Sequence, residues 1–250
     1  MGTKPCTIFI PLLNEEEIIA ENANRVLTFM EERNIPCELI LGSNGSSDST
    51  PHIIESLASC YPNVRAFHLD AKAPGLAFSR AVQMASYEYV VSQDADLAVE
   101  LGFIPMAISL LDHAEMVVGC KRMRRQDRAF MRRFGSNFFI FVAAIILDIG
   151  AADFSIGAKA YRRSFVMEHI KRIDAGTAYV LELVYWAAVQ GRRVIEVSVE
   201  CSDNRKSRFN LLHETCHKFG HLFRFARQER ALERSRSNVS SSSQNYSVRR

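Results

Sequence analysis

The first hundred residues alternate, four times over, between a short apolar run and a stretch of helical spacing or polar turn. The apolar runs are residues 6–10, 37–41, 64–69 and 87–92. Each has the length of a strand and falls short of a buried helix. Between the first two, residues 15–33 carry Ile18, Ile19, Ala23, Val26, Leu27 and Met30 at the spacing of one helical face. Strand followed by helix, repeated, predicts an α/β fold: a mostly parallel sheet with helices on both faces. Pro11 is expected to stop the first strand.

Ligands on such sheets bind beyond the carboxyl ends of the strands. Three polar segments fall at those ends: "PLLNEE" after the first run, "SNGSSD" after the second and "QDAD" after the fourth. Beyond residue 100 the alternation weakens. Helices are expected over 103–111, 130–147, 164–170 and 178–190, and strands over 115–119, 156–161 and 193–199. Residues 1–228 are read as a single catalytic domain. Residues 229–250, "ERALERSRSNVSSSSQNYSVRR", lose apolar periodicity and read as a basic, serine-rich disordered tail.

At 250 residues and 48% hydrophobic, the chain can fill a core without staples. Its six cysteines form no CxxC pair and no zinc spacing, which fits a reducing compartment. No charged-then-apolar leader opens the sequence, and the longest apolar run, 138–147, is about half of the ~20 residues that span a bilayer. A lipid partner would therefore be met from the surface, and the expected location is cytoplasmic and peripheral, on the cytoplasmic face of a membrane. The net charge of +3 hides a local cluster, "KRMRRQDRAFMRR" at 121–133. No stacking motif or recognition helix points to nucleic acid.

Asp94 and Asp96 close the fourth strand with one small residue between them, and alternate residues of an extended chain point the same way. Two carboxylates side by side repel unless a cation lies between them. Mg²⁺ or Mn²⁺ bridging to a diphosphate resolves that repulsion. A solvated turn is the plain alternative. Asn14 and Glu15 follow the first strand, where they can hold a ribose or base edge or serve the next helix N-terminus. Gly45 lets backbone approach a ligand. Arg80, one turn into the helix after "APGLAFS", can reach a diphosphate or the aspartate pair, or lie free on the surface.

The order of these motifs resembles the family 2 glycosyltransferases of GT-A (Rossmann-like) fold, and among them the dolichol-phosphate and polyprenol-phosphate mannose synthases. "IPxxNEE" appears at Ile10, Pro11, Asn14, Glu15 and Glu16, and "DADL" at Asp94, Ala95, Asp96 and Leu97. "DxxxGxxAYRR" appears at Asp153, Gly157, Ala160, Tyr161, Arg162 and Arg163. "ELxxxAxxxGxxxIEVxV" runs from Glu182 to Val199, and a compressed "RxSR" follows at Arg205, Ser207 and Arg208. The family "DDGSxDxT" is present with its first two carboxylates replaced by Ser43 and Asn44. Asn44 keeps a carbonyl acceptor and loses the charge.

The resemblance implies inverting transfer of a sugar, mannose from GDP-mannose, to a polyprenyl phosphate. It implies donor binding by Pro11, Leu12, Asn14, Glu15, Asn44, Asp48, Arg80, Gln93, Asp94, Ala95 and Asp96, with the metal on Asp94 and Asp96. Asp96 and Asp153 are the candidate catalytic residues. A lipid phosphate needs positive charge, for which Lys121, Arg122, Arg132, Arg133, Arg205 and Arg208 are candidates. A hydroxyl acceptor, as in cell-envelope glycan synthesis, would instead need Asp153 as general base. A non-catalytic nucleotide-sugar-binding module is a third reading, supported by Ser43 and Asn44. The basic run beside 138–147, and "KFGHLFRFARQER" at 218–230, suit a membrane surface. A membrane-embedded partner subunit is compatible with a chain lacking its own spans.

Overall fold

The computed structural model describes residues 4–121, 142, 146–147, 157–201, 220, 222–229 and 231. The chain divides into two compact units, Met1–Arg128 with Ala152–Lys206, and Ala129–Ala151 with Ser207–Arg250.

The first unit runs β1 (Cys6–Leu12), α1 (Ile19–Glu32), β2 (Cys37–Asn44), α2 (Thr50–Cys60), β3 (Val64–Leu69), α3 (Pro74–Met84) and β4 (Tyr89–Ser92). It continues through α4 (Phe103–Leu110), β5 (Met116–Lys121), β6 (Lys159–Arg162), α5 (Arg163–His169), α6 (Tyr179–Val189) and β7 (Val194–Val199). The strands form one seven-stranded sheet in the order β3-β2-β1-β4-β6-β5-β7. All run parallel except β6, which is antiparallel to both β4 and β5. Strand order reverses between β1 and β4, and an open sheet of this kind has its binding crevice at such a point.

Pro11 does not stop the first strand. β1 pairs with β2 through Leu12, but with β4 only as far as Phe9. The Phe9 carbonyl accepts from Gln93 N–H, so Phe9 turns its backbone toward β4. Pro11, two residues on, faces the same way, past the end of β4, where no ladder bond needs its missing N–H.

The two faces of β1 are packed differently, as strand alternation requires. Cys6, Ile8, Ile10 and Leu12 join Ile19, Ala23, Val26 and Met30 of α1 in one buried cluster. Phe9 faces the other layer, stacked on Phe67 at 6.3 Å and near Phe78 at 6.5 Å. Phe78 meets Tyr161 at 4.8 Å and Tyr179 at 4.6 Å. Gly42 makes room for this layer: a Cβ there would lie 2.5 Å from the Phe67 ring. Phe78 is fully buried, and truncating such a side chain to alanine costs about 3–5 kcal/mol.

Of the second unit, helical residues 142, 146–147, 220, 222–229 and 231 are described. Leu222, Phe225 and Ala226 are buried at i, i+3 and i+4, while Phe223 is 54% exposed beside exposed Arg224 and Arg227. Among the described residues no helix is long and apolar enough to cross a membrane. The expected helix over 130–147 and the tail beyond residue 231 lie almost wholly outside the described residues.

Candidate active site

The loops after β1 and β2 are stitched together by their own polar groups. Asn14 Oδ1 accepts from Ser47 N–H at 2.8 Å, and Asn14 N–H donates to Ser46 Oγ at 3.1 Å. Glu15 N–H donates to Thr50 Oγ1 at 2.9 Å. Glu16 N–H donates to Asp48 Oδ2 at 3.2 Å, and Ser49 N–H returns a bond to Glu16 Oε2 at 2.9 Å. Asp48 also accepts from Thr50 N–H at the start of α2 (3.0 Å). Slight burial raises the Asp48 carboxyl pKa, but the bonds from Thr50 and Glu16 outweigh it and hold the pKa below the usual range. Asn14 adopts φ of 56°, a left-handed conformation that asparagine tolerates. Gly45 also has positive φ, and a Cβ there would meet Lys72 N at 2.6 Å.

Asn44 uses its carbonyl to tie β2 to the segment before α3. Its Oδ1 accepts from Ala73 N–H at 2.6 Å, just ahead of α3. One lone pair of that carbonyl is thus engaged inside the protein, which leaves Asn44 its second lone pair and the Nδ2 donor. Ser43 is fully buried, with its hydroxyl 3.2 Å from His68 Nδ1.

The loop after β4 holds the two carboxylates. Asp94 is recessed and Asp96 exposed. Asp94 Oδ2 accepts from Gly157 N–H at 3.1 Å. A Cβ at Gly157 would sit 1.9 Å from Asp94 Oδ1, so any larger residue there would have to push the carboxylate aside. Burial raises the Asp94 pKa, and Asp96 and Glu15 push it the same way, against the opposing pull of Lys159 and the Gly157 N–H. Asp96 Oδ1 accepts from Ala98 N–H at 3.1 Å, and Leu97 N–H closes the turn on Asp94 O at 3.0 Å. Leu97 has φ of 50° although it is a leucine. Gln93 is fully buried, its Nε2 donating to Val99 O at 2.7 Å. From α1, Asn22 Nδ2 donates to Ala95 O at 2.8 Å.

The structure therefore brings Asn14, Glu15, Asp48, Gln93, Asp94, Ala95 and Asp96 to one edge of the sheet, with Pro11 and Leu12 at the end of β1. Arg80 places its guanidinium over the Phe67 ring, 5.1 Å from the centroid. Asp153, Arg122, Arg132, Arg133, Arg205 and Arg208 lie outside the described residues, as does the side chain of Lys121. The start of α3 is closed to anions. Gly75 and Leu76 donate to Ala175 O, and Gly75 also to Gly176 O, so carbonyls occupy that helix N-terminus.

Three residues near the aspartates carry no obvious signal in the sequence, Asn22, Lys159 and Tyr179, and Gly157 is marked there only as a motif position. Lys159 is 4% exposed on β6, and its charge acts on Asp94. Burial raises the Tyr179 hydroxyl pKa, and Asp94 adds to the effect. For Lys159, strand alternation on β6 was the available clue, since it puts Lys159 and Tyr161 on one face.

The aspartate pair offers oxygen ligands only, which suits a hard divalent cation. Among the described residues no third His, Cys, Asp or Glu is grouped with them. A cation such as Mg²⁺, which keeps waters and takes substrate phosphates, fits so sparse a set.

Comparison with known proteins agrees with this geometry. The profile described as "Glycosyl transferase family 2" matches residues 7–170. The chain is 26% identical over 214 residues to an undecaprenyl-phosphate 4-deoxy-4-formamido-L-arabinose transferase of Proteus mirabilis, covering 83% of this chain and 64% of that one. It is 29% identical over 165 residues to the protein of that name from Pectobacterium carotovorum, covering 65% and 50%. The chain thus spans about half to two thirds of the length of these relatives. The fold matches glucosyl-3-phosphoglycerate synthase of Mycobacterium tuberculosis in complex with Mn²⁺ and uridine-diphosphate-glucose, at a TM-score of 0.67 and 16% identity, covering 89% of this chain and 79% of that one. The α/β architecture is that of the GT-A glycosyltransferases, and the chain belongs to glycosyl transferase family 2.

Proposed function

We propose that this protein transfers a sugar from a nucleotide-sugar to a polyprenyl phosphate at a membrane surface. The observation that carries the reading is the Asp94–Asp96 pair at the strand-order reversal, beside the braced loops of β1 and β2. Relatives whose names specify undecaprenyl phosphate support the acceptor class. GDP-mannose is the donor in this reading, on the strength of the motif resemblance.

In the reaction, an oxygen of the lipid phosphate bonds to the anomeric carbon as the bond from that carbon to the nucleoside diphosphate breaks, with inversion. The lipid phosphate is already anionic, so no proton need be removed from it. Mg²⁺ or Mn²⁺ held by Asp94 and Asp96 would neutralise charge on the departing diphosphate. The loops of β1 and β2 hold the nucleoside side of the donor in place. Lys159 tempers the negative charge of Asp94 from below. Lys121, Arg122, Arg132, Arg133, Arg205 and Arg208 are assigned to the acceptor phosphate, and Asp153 to the sugar or to orienting one of those bases. Exposed Phe223 with Arg224 and Arg227 suits contact with anionic lipid, and a membrane-embedded subunit would complete the attachment.

The test is sugar transfer from GDP-mannose and UDP-glucose to a short polyprenyl phosphate, with and without Mn²⁺, by the wild-type chain and by Asp94→Asn. Metal-dependent glycolipid from the wild type, reduced at least about a hundredfold in the variant, is the expected result. Metal-dependent donor hydrolysis without glycolipid would move the acceptor to a hydroxyl. Absence of any nucleotide binding would sink the donor reading.

A further inference from the structure

Asn22 occupies a position that helical spacing reserves for an apolar side chain. The buried face of α1 reads Ile19, Asn22, Ala23, Val26 and Met30, at i, i+3, i+4, i+7 and i+11. Asn22 is only 6% exposed. An amide buried in such a stripe costs stability unless it is hydrogen-bonded, and asparagine is a poorer helix former than leucine. The residue earns no place there by packing alone.

Its bonds show where it acts. Nδ2 donates to the Ala95 carbonyl at 2.8 Å. That carbonyl belongs to the peptide joining Ala95 to Asp96, so the bond fixes the peptide plane from which Asp96 projects. Oδ1 accepts from Arg25 Nη1 at 3.1 Å, one turn along the helix. The guanidinium can only donate, so it sets which end of the amide faces the loop. Asp94 is fixed independently by Gly157 N–H. The two carboxylates are therefore anchored by different parts of the chain, Asp94 by Gly157 ahead of β6 and Asp96, through Ala95, by α1. The start of α1 is itself tied to the first loop, because Glu15 O accepts from Ile18 N–H and Ile19 N–H.

We infer that Asn22 is a positioning residue for the metal site. It holds the spacing of Asp94 and Asp96 and couples the loop after β4 to the loop after β1. This rests on the assignment of Asp94 and Asp96 as metal ligands. Residues one bond removed from a metal ligand typically change affinity by about 10–100-fold when replaced.

The experiment separates position from stability with two near-isosteric variants of the full chain. Asn22→Leu restores an apolar stripe and removes the donor. Asn22→Asp keeps the shape and turns an acceptor toward the Ala95 carbonyl. Mn²⁺ is titrated by electron paramagnetic resonance in the presence of GDP or UDP, and thermal unfolding is recorded alongside. The expected result is Asn22→Leu with Tm within a few degrees of wild type and Mn²⁺ bound about tenfold more weakly, and Asn22→Asp weaker again. Wild-type Mn²⁺ affinity in folded Asn22→Leu would overturn the inference and leave Asn22 as a helix-packing residue, whether or not Asn22→Asp folds. No Mn²⁺ binding by the wild type would overturn the metal assignment itself, and this inference with it.

Discussion

Two parts of the same sheet edge are held in opposite ways. The loops after β1 and β2 brace each other through side chains that bond back to backbone, so Asn14, Glu16, Asp48 and Thr50 spend their polar atoms on one another. The loop after β4 is held from outside, by Asn22 from α1 and Gly157 ahead of β6. The first arrangement gives a platform that is rigid without a ligand. In the second, one oxygen of each aspartate takes a single backbone N–H, and among the described residues the other oxygen accepts no hydrogen bond. A surface that only has to fit a nucleoside can be self-satisfied, whereas a surface that has to take a cation must be kept short of partners.

That contrast can be broken most severely at Gly157. Gly157→Ala drives a methyl into the Asp94 carboxylate. A short side chain that can rotate away limits the loss of stability to about 1–3 kcal/mol, while Mn²⁺ affinity should fall at least about tenfold. Calorimetric unfolding beside a Mn²⁺ titration checks both, and equal losses in the two would erase the distinction between the loops. On the braced side the balance should invert. Asn14→Ala loses the Ser47 bond and places alanine at φ of 56°. The expected cost is about 1–2 kcal/mol in a denaturant melt, with Mn²⁺ affinity retained. The mildest change is Asn44→Asp. A carboxylate still accepts from Ala73 N–H, so Tm should hold within about 2 °C, but the atom left over turns from donor to acceptor. Titration with UDP, GDP and CDP should then show a changed order of preference at unchanged fold.

The strands of the first half could be read from residues 6–92 because each was an apolar run ended by polar turn residues, and the family motifs marked Asp94 and Asp96. What escaped was whatever depends on a partner distant in sequence. Pro11 looks like a terminator until the end of β4 leaves its side of β1 unpaired. The reversed direction of β6 leaves no trace in its composition. Asn22 reads as an ordinary blemish on an amphipathic helix, since its reason lies 73 residues away at Ala95. Arg80 had the right charge and a plausible offset, and its place over the Phe67 ring of β3 could not be read from its spacing. Asn44 was legible as an acceptor, and only the position of Ala73 showed that the acceptor was already engaged.

Leu97 gives the aspartate loop a mechanical character. A left-handed backbone strains a leucine by roughly 1–2 kcal/mol, yet its side chain is 8% exposed and packed in the core with Val99 and Phe103. Relaxing the backbone would drag that side chain out of its berth, and keeping the side chain in holds the backbone wound. The turn is a preloaded spring with its latch in the core. The turn that carries the aspartates is thereby tied to the core through Leu97.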